Sequence, residues 1–254
     1  MCLILVAHRA HPAYPLVVAA NRDEWFRRPT APAGFWPDAP EVFAGRDLEQ
    51  HGTWLGVTRH GRFAALTNYR DPGANRLEAP SRGALVSAFL RSRVPPVEYL
   101  ARLREDAARY NGFSLLVGAG ATLCYFSNRD GEIRSLTPGI YGLSNSLLDV
   151  PWPKVQSGKT RLAAALDGCP NATALLDLLD DTALAPDREL PSTGVGIDWE
   201  RRLSSLRILA DGYGTRSSTA LLIGADGEVS FVERSFDAAG SETGIVRERF
   251  RLDG

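Results

Sequence analysis

Two apolar runs that stop in polar residues decide the fold. They are Cys2-Leu3-Ile4-Leu5-Val6, running on to His8, and Leu16-Val17-Val18-Ala19-Ala20, which ends in Asn21-Arg22-Asp23-Glu24. Both read as strands, the second as a buried one, with a turn from Arg9 to Pro15 between them. Cys2 stands directly behind Met1. Removal of that methionine would leave the thiol and a free α-amine on the same Cα. Such an amine titrates near ~8 and can take the thiol proton, so one residue would hold both nucleophile and base. The alternative is an inert strand cysteine that happens to follow Met1.

Further along, Pro29, Pro32, Pro37 and Pro40 make the stretch from Trp25 to Pro40 read as a long ordered loop. Gly52 to Thr58 and Arg62 to Asn68 read as a hairpin joined by Arg59-His60-Gly61, with Gly61 free to take positive φ. Ser81 can cap a helix with the stripe Leu85, Val86, Phe89 and Leu90. Pro96 can open another with Val97, Leu100, Leu103 and Ala107 on one face. Strands follow at Phe113–Val117 and Leu123–Ser127, then a turn at Arg129-Asp130-Gly131 leads into a third, and a short one covers Tyr141–Asn145. Helices are expected over Val155–Leu166 and, capped by Asn171, over Ala172–Leu179. A hairpin of Arg216–Ile223 and Val229–Glu233 and a last strand near Ile245–Phe250 close the chain. Helix pairs fall between sheet segments instead of alternating singly with strands. That order excludes a doubly wound parallel sheet and favours an α+β class, a four-layer αββα sandwich of two antiparallel sheets. No linker or repeat divides residues 1–254, so one domain is expected.

The chain has 254 residues, 44% hydrophobic and 23% charged, with a formal net charge of −1. This is enough for a full core, and the balance gives no global pull toward nucleic acid or an anionic membrane. Cys2, Cys124 and Cys169 show neither CxxC nor zinc spacing, and an odd count argues against a disulfide framework. The apolar start is too short to span a bilayer and has no charged leader, so a cytoplasmic protein without stable membrane insertion is the default. Gly158-Lys159-Thr160 lacks the first glycine of a phosphate-binding loop, since Pro153 stands there. Among the four histidines, His8-Arg9-Ala10-His11 could offer an axial imidazole to haem, but reads better as a solvent-facing turn. No metal site is expected.

Polar residues end or begin apolar strands at four places: Asn21-Arg22-Asp23-Glu24, Asn68-Tyr69-Arg70-Asp71, Ser144-Asn145 and Thr215-Arg216-Ser217. Neighbouring strand ends lie side by side, so these groups can converge on one pocket edge. Each alone is also ordinary turn chemistry.

Ala20-Asn21-Arg22-Asp23-Glu24, Gly52-Thr53-Trp54-Leu55-Gly56, Leu66-Thr67-Asn68-Tyr69, Asn111-Gly112-Phe113, Tyr141-Gly142-Leu143-Ser144-Asn145 with Pro151-Trp152-Pro153-Lys154, and Tyr213-Gly214-Thr215-Arg216 resemble the NRDE-motif family. This is the family of the transport and Golgi organisation protein. The resemblance covers residues 2 to about 236 and implies an N-terminal-nucleophile (Ntn) hydrolase-like fold. It further implies a tie to the secretory pathway, to haem trafficking, and to acyl-coenzyme A or lipids. Cysteine amidases of that wider fold carry an Arg-Asn-x-Asp pattern after the second strand. By this resemblance Asn21 matches the Asn, and Asp23 the Asp that bonds the nucleophile's amine. Asn68 and Asn145 resemble oxyanion donors, and Arg216 the late arginine near the nucleophile. Ala20 stands where the pattern has its leading Arg.

Two functions therefore remain open. In the first, Cys2 attacks an amide or thioester, with Asp23, Asn68, Asn145 and Arg216 in support and no cofactor needed. In the second, the same pocket binds an amphipathic ligand such as haem or acyl-coenzyme A without catalysis. Trp25, Phe26, Trp36 and Trp54 would give it apolar contact and Arg22, Arg70 and Arg216 would pair its charge, with Asn21, Glu24 and Tyr69 at the rim. The oligomeric state is not legible.

Overall fold

The computed structural model describes residues 2–168 and 170–253; Met1 and Cys169, both weighed above, lie outside the described residues, as does Gly254. Strand β1 (Cys2–His11) pairs antiparallel with β2 (Tyr14–Trp25), placing Cys2 opposite Arg22 and Ile4 opposite Ala20. Their apolar runs are continuous because both faces are covered. Ile4, Val6, Val18 and Ala20 enter the core between the two sheets, while Leu3, Leu5, Val17 and Ala19 pack under helices.

The expected loop after Trp25 is instead a pair of strands, β3 (Thr30–Trp36) and β4 (Ala39–Asp47). Pro40 stands ahead of the β4 residues that pair with β5, and Pro32 is tolerated because β3 is the edge strand of its sheet. Its register also shifts between Ala31 and Gly34, around Pro32, so the missing N–H breaks no ladder bond. Next come β5 (Leu55–Thr58) and β6 (Arg62–Asn68), joined through Gly61 at φ 71° as expected. Helix α1 (Gly83–Arg91) buries the predicted stripe, but Ser81 does not cap it; Arg82 stands at the cap position with no side-chain bond. In α2 (Pro96–Asp106) Leu100 and Leu103 are buried, whereas Val97 is exposed. Strands β7 (Phe113–Ala119), β8 (Thr122–Ser127) and β9 (Ile133–Ser135) complete a seven-stranded antiparallel sheet in the order β3-β4-β5-β6-β7-β8-β9.

The first sheet is completed from later in the chain. Strand β10 (Gly139–Leu143) flanks β1, and Ser144 and Asn145 fall just past its end. Helices α3 (Pro153–Leu166) and α4 (Ala172–Leu178) cover its outer face, with Asn171 capping α4 by accepting the Ala174 N–H at 3.0 Å. A six-residue helix the sequence reading missed, α5 (Ile197–Arg202), lies in the polar connection that follows. Then β11 (Leu209–Ala210), β12 (Tyr213–Ile223), β13 (Glu228–Phe236) and β14 (Glu242–Arg251) give the order β10-β1-β2-β12-β13-β14, with β11 beside β12.

Phe43, Phe63 and Tyr125 of one sheet meet Val18, Leu221 and Phe231 of the other in a shared core. A second core lies under α1 and α2, and a third under α3 and α4. This is the four-layer αββα sandwich that the element order predicted. His8 corrects one reading: β1 continues through it, and it is buried instead of lying in a solvent-facing turn.

Candidate active site

One end of the sandwich gathers the start of β1 and the ends of β2 and β6. A cavity of about 260 Å³ opens there, lined by Cys2, Arg22, Asp23, Glu24, Trp54 and Asn68, with Arg28, Arg76 and Arg82 reaching it from the loops beside the carboxylates of Asp47 and Glu49, both paired with Arg28. Two glycines allow this closeness. A Cβ at Gly45 of β4 would collide with the Trp54 ring, and one at Gly52 would meet the backbone of Gly83, beside Arg82.

Cys2 is buried, and burial pushes its thiol up from the ordinary value. Arg22 and a hydrogen bond from the Asp23 backbone N–H act the other way. Cys124, by contrast, lies inside β8 at 0% exposure, with its sulfur 3.7 Å from Ser135 Oγ. The guanidinium of Arg22 stacks 4.1 Å above the Trp54 ring and donates to Thr30 Oγ1 at 2.8 Å, forming one wall. Asn68 makes no side-chain hydrogen bond within the described residues, which leaves its amide available to a ligand. Glu24 accepts the Trp25 N–H at 2.9 Å and stands at the rim.

Behind Cys2 lies a buried polar cluster. Asp23 Oδ1 accepts from Thr215 Oγ1 at 2.7 Å, and that hydroxyl in turn accepts the Ile208 N–H at 2.9 Å. Burial pushes the Asp23 carboxyl up, and the charge of Lys154 opposes this most strongly. Arg70 and Glu200 form an ion pair at 2.6 Å with both side chains 4% exposed. Arg70 also lies over Trp152, 4.8 Å from the ring centre, and 3.5 Å from Asn145 Oδ1. Asn145 Nδ2 donates to the Asn68 backbone oxygen at 2.9 Å. Asn145 therefore braces Asn68 from behind and is not among the residues that line the cavity.

Four other expected site residues lie elsewhere. Asn21 points away from Cys2 by strand parity. Both its amide hydrogens are engaged, at 3.1 Å to Leu179 O and 2.8 Å to Leu206 O, and it accepts from Ser218 at 2.6 Å. It is a tie between β2 and the helix layer. Tyr69 packs beneath Arg129 and touches no cavity wall. Arg70 is held by Glu200 and is not a free anion ligand. Arg216 is the extra residue of a bulge, since Thr215 faces Asp23 while Ser217 already faces Arg22. Its Nη1 donates to Trp25 O, Phe26 O and Arg28 O at 3.1, 3.0 and 2.9 Å, which pins the turn after β2. Of the expected aromatic contacts only Trp54 lines the cavity. Trp36 is buried under α1, and Trp25 packs on Trp199 and Tyr213.

Lys154 is the residue that sequence reasoning missed. Trp152-Pro153-Lys154 reads as a helix start, with Pro153 in the first turn. The fold turns the next side chain inward, to 2% exposure, with no hydrogen-bond partner for Nζ among the described residues. Burial pulls its pKa down to about 8, against the attraction of Asp23 and Cys2.

Two antiparallel sheets between helix layers, with a cysteine at the head of a central strand, define an Ntn hydrolase-like architecture. A mutant of the conjugated bile acid hydrolase from Clostridium perfringens aligns over 100% of this chain and 94% of its own, at a TM-score of 0.53 and 9% identity. An N-acylethanolamine-hydrolyzing acid amidase ortholog from Caenorhabditis elegans covers 87% and 92%, at 0.46 and 11% identity.

The chain belongs to the transport and Golgi organisation 2 family, whose model matches residues 1–238. Transport and Golgi organization protein 2 homologs from Bos taurus and Homo sapiens are each 38% identical over 92% of this chain and 93% of their own. The Drosophila melanogaster protein is 29% identical over 92% of each. No helix among the described residues is long and apolar enough to cross a membrane.

Proposed function

We propose that this protein is a cysteine Ntn-type hydrolase of amides or thioesters, with Cys2 as its nucleophile. The observation that carries the reading is the Cys2 thiol on the cavity wall, with the Asp23 backbone N–H bonded to its sulfur and Asn68 on the same wall. With Met1 removed, the α-amine takes the thiol proton and Asp23 holds that amine. Sulfur attacks the carbonyl carbon, Asn68 donates to the oxyanion, and the amine returns the proton to the leaving nitrogen or sulfur. Water then releases the acid from the Cys2 thioester. No cofactor enters this sequence. Arg22 and Arg82 suit a substrate with a carboxylate or phosphate on one arm.

Those same arginines, beside Trp54, favour one second reading: binding and transfer of an amphipathic anion such as haem or acyl-coenzyme A, without turnover. N-acyl amides and acyl thioesters are to be screened with wild type and Cys2→Ala, while haem and acyl-coenzyme A are titrated against both. Turnover lost in Cys2→Ala supports the hydrolase. Equal affinity in both proteins, with no turnover in either, supports the carrier.

A further inference from the structure

The cavity at Cys2 has a neighbour on the same sheet. Strand pairing sets Cys2 opposite Arg22, Arg22 opposite Ser217, Ser217 opposite Ser235 and Ser235 opposite Gly244. Directly paired residues share a face, so these five positions form one row across β1, β2, β12, β13 and β14, turned into the space between the sheets. At a strand spacing of ~4.8 Å the row is about 19 Å long, with Ser217 about 10 Å from Cys2. Beyond Arg22 its members are small, and a second cavity of about 360 Å³ lies over Ser217, Ser235 and Gly244. Arg22 and Trp54 line both cavities. Their stack is therefore a partition of side chains, not of backbone, between two compartments of one cleft.

Ser217 is 5% exposed, and its hydroxyl faces this second compartment. It is close enough to Glu233 to act on that carboxyl, yet its Oγ makes no aligned hydrogen bond among the described residues. A buried hydroxyl in that state costs free energy until a ligand or water completes it. Glu233 stands two residues before Ser235 on the same face and is 2% exposed. Pro32, Phe236 and Ile245 add apolar wall. At Gly244 an added Cβ would meet no heavy atom within 4 Å, so the far end of the row is open.

We propose that the cleft takes one substrate along its length, the acyl carbonyl at Cys2 and an uncharged arm, bearing an amide or a hydroxyl, over Ser217 and Ser235. A cationic arm would have to pass the Arg22 guanidinium, and an anionic arm would meet the buried Glu233 carboxyl. A neutral amide or hydroxyl both donates and accepts, which suits two serine hydroxyls beside a carboxyl. An arm of roughly nine bonds spans the distance from Cys2 to Ser217. This rests on the reading of Cys2 as the nucleophile and adds what its substrate carries.

Iodoacetamides with arms on nitrogen test the cleft without requiring turnover. Unsubstituted iodoacetamide is compared with reagents whose arms, each of roughly nine bonds, end in a primary amide, a carboxylate or a methyl group. Rates of Cys2 modification are read by intact mass with peptide mapping. Each is divided by the rate for unsubstituted iodoacetamide, which cancels changes in the thiol itself. In wild type the amide-ended arm should give a ratio of about ten, the scale of one or two hydrogen bonds, and the other two ends a ratio near one. Ser217→Val and Gly244→Leu should each bring the amide ratio down to about one.

Thermal melts accompany both variants. Gly244→Leu extends into open space, so it remains a test if Ser217→Val does not fold. A wild-type amide ratio near one, a higher ratio for the carboxylate or methyl end, or an amide ratio unmoved by the folded variants overturns the proposal. Cys2 modified by every reagent without preference would leave the hydrolase reading standing. Cys2 untouched by all of them would sink both.

Discussion

Asp23 and Arg216 end or begin adjacent strands in similar sequence contexts, yet they do different work. Asp23 lies in the cluster behind Cys2, bonded to Thr215, while Arg216 sits on a bulge and binds three carbonyls of the turn after β2. Asp23→Ala is therefore expected to reduce Cys2-dependent turnover by 10²-fold or more, on the scale of a lost proton-transfer partner. Arg216→Ala should mainly lower stability, by ~1–3 kcal/mol for the orphaned carbonyls, and leave the alkylation rate of Cys2 within about twofold. Thermal melts with rate measurements on both variants check the split; equal loss of turnover would return Arg216 to the site.

At this scale the sequence showed which strand ends carry polar groups but not which way each side chain turns. Arg216 looked like a site residue because a bulge leaves no trace in spacing. Lys154 looked like an ordinary helix-start lysine because its burial comes from α3 lying across β1 and β10, not from local pattern.

Single elements are joined by a few buried polar ties. Glu233 of β13 accepts the Ala33 N–H of β3 at 2.8 Å, across the space between the sheets. Burial pushes its carboxyl from an ordinary 4.5 up to about 7, with the Ala33 bond and Arg22 acting against the rise. Between those two values the folded chain holds this proton more tightly than the unfolded chain. Stability therefore falls as pH rises through that window, by up to roughly 3 kcal/mol from this group. Glu233→Gln keeps an acceptor for Ala33 and removes the charge. Its melting temperature should fall less between pH 5 and 7.5 than that of wild type, and parallel curves would show that Glu233 does not carry the effect. Element identity was legible wherever an apolar run had both faces covered, as in β1 and β2. It failed at β3, where Pro32 would break a central strand but is harmless on an edge, and at β4, where Pro40 stands ahead of the residues that pair with β5. It failed again at α5, whose six residues are too few for a periodic stripe.

Across the whole molecule, the cavity end is closed by contacts between the sheets. Arg70 N–H donates to Asn145 O at 2.8 Å, Asn145 braces Asn68, and Glu200 neutralises Arg70. Glu200→Ala leaves a buried guanidinium without its partner. It is expected to cost ~3–5 kcal/mol, read as a shift in denaturant midpoint at unchanged m-value. A shift below about 1 kcal/mol would mean that the pair is not a structural clamp.

The sandwich itself was legible from the order of strands and helix pairs, since each sheet needs helices on its outer face. Where its two ends differ in chemistry was legible only in part, through the polar residues that end β2 and β6. The central claim is that Cys2 attacks acyl carbonyls, and its most direct measurement is intact mass after brief exposure to p-nitrophenyl acetate. Wild type should gain a single acetyl group that peptide mapping puts on Cys2 and that hydroxylamine removes, while Cys2→Ala gains none at that position. Wild type left unmodified at Cys2, or acetylated equally well in Cys2→Ala, would contradict the account.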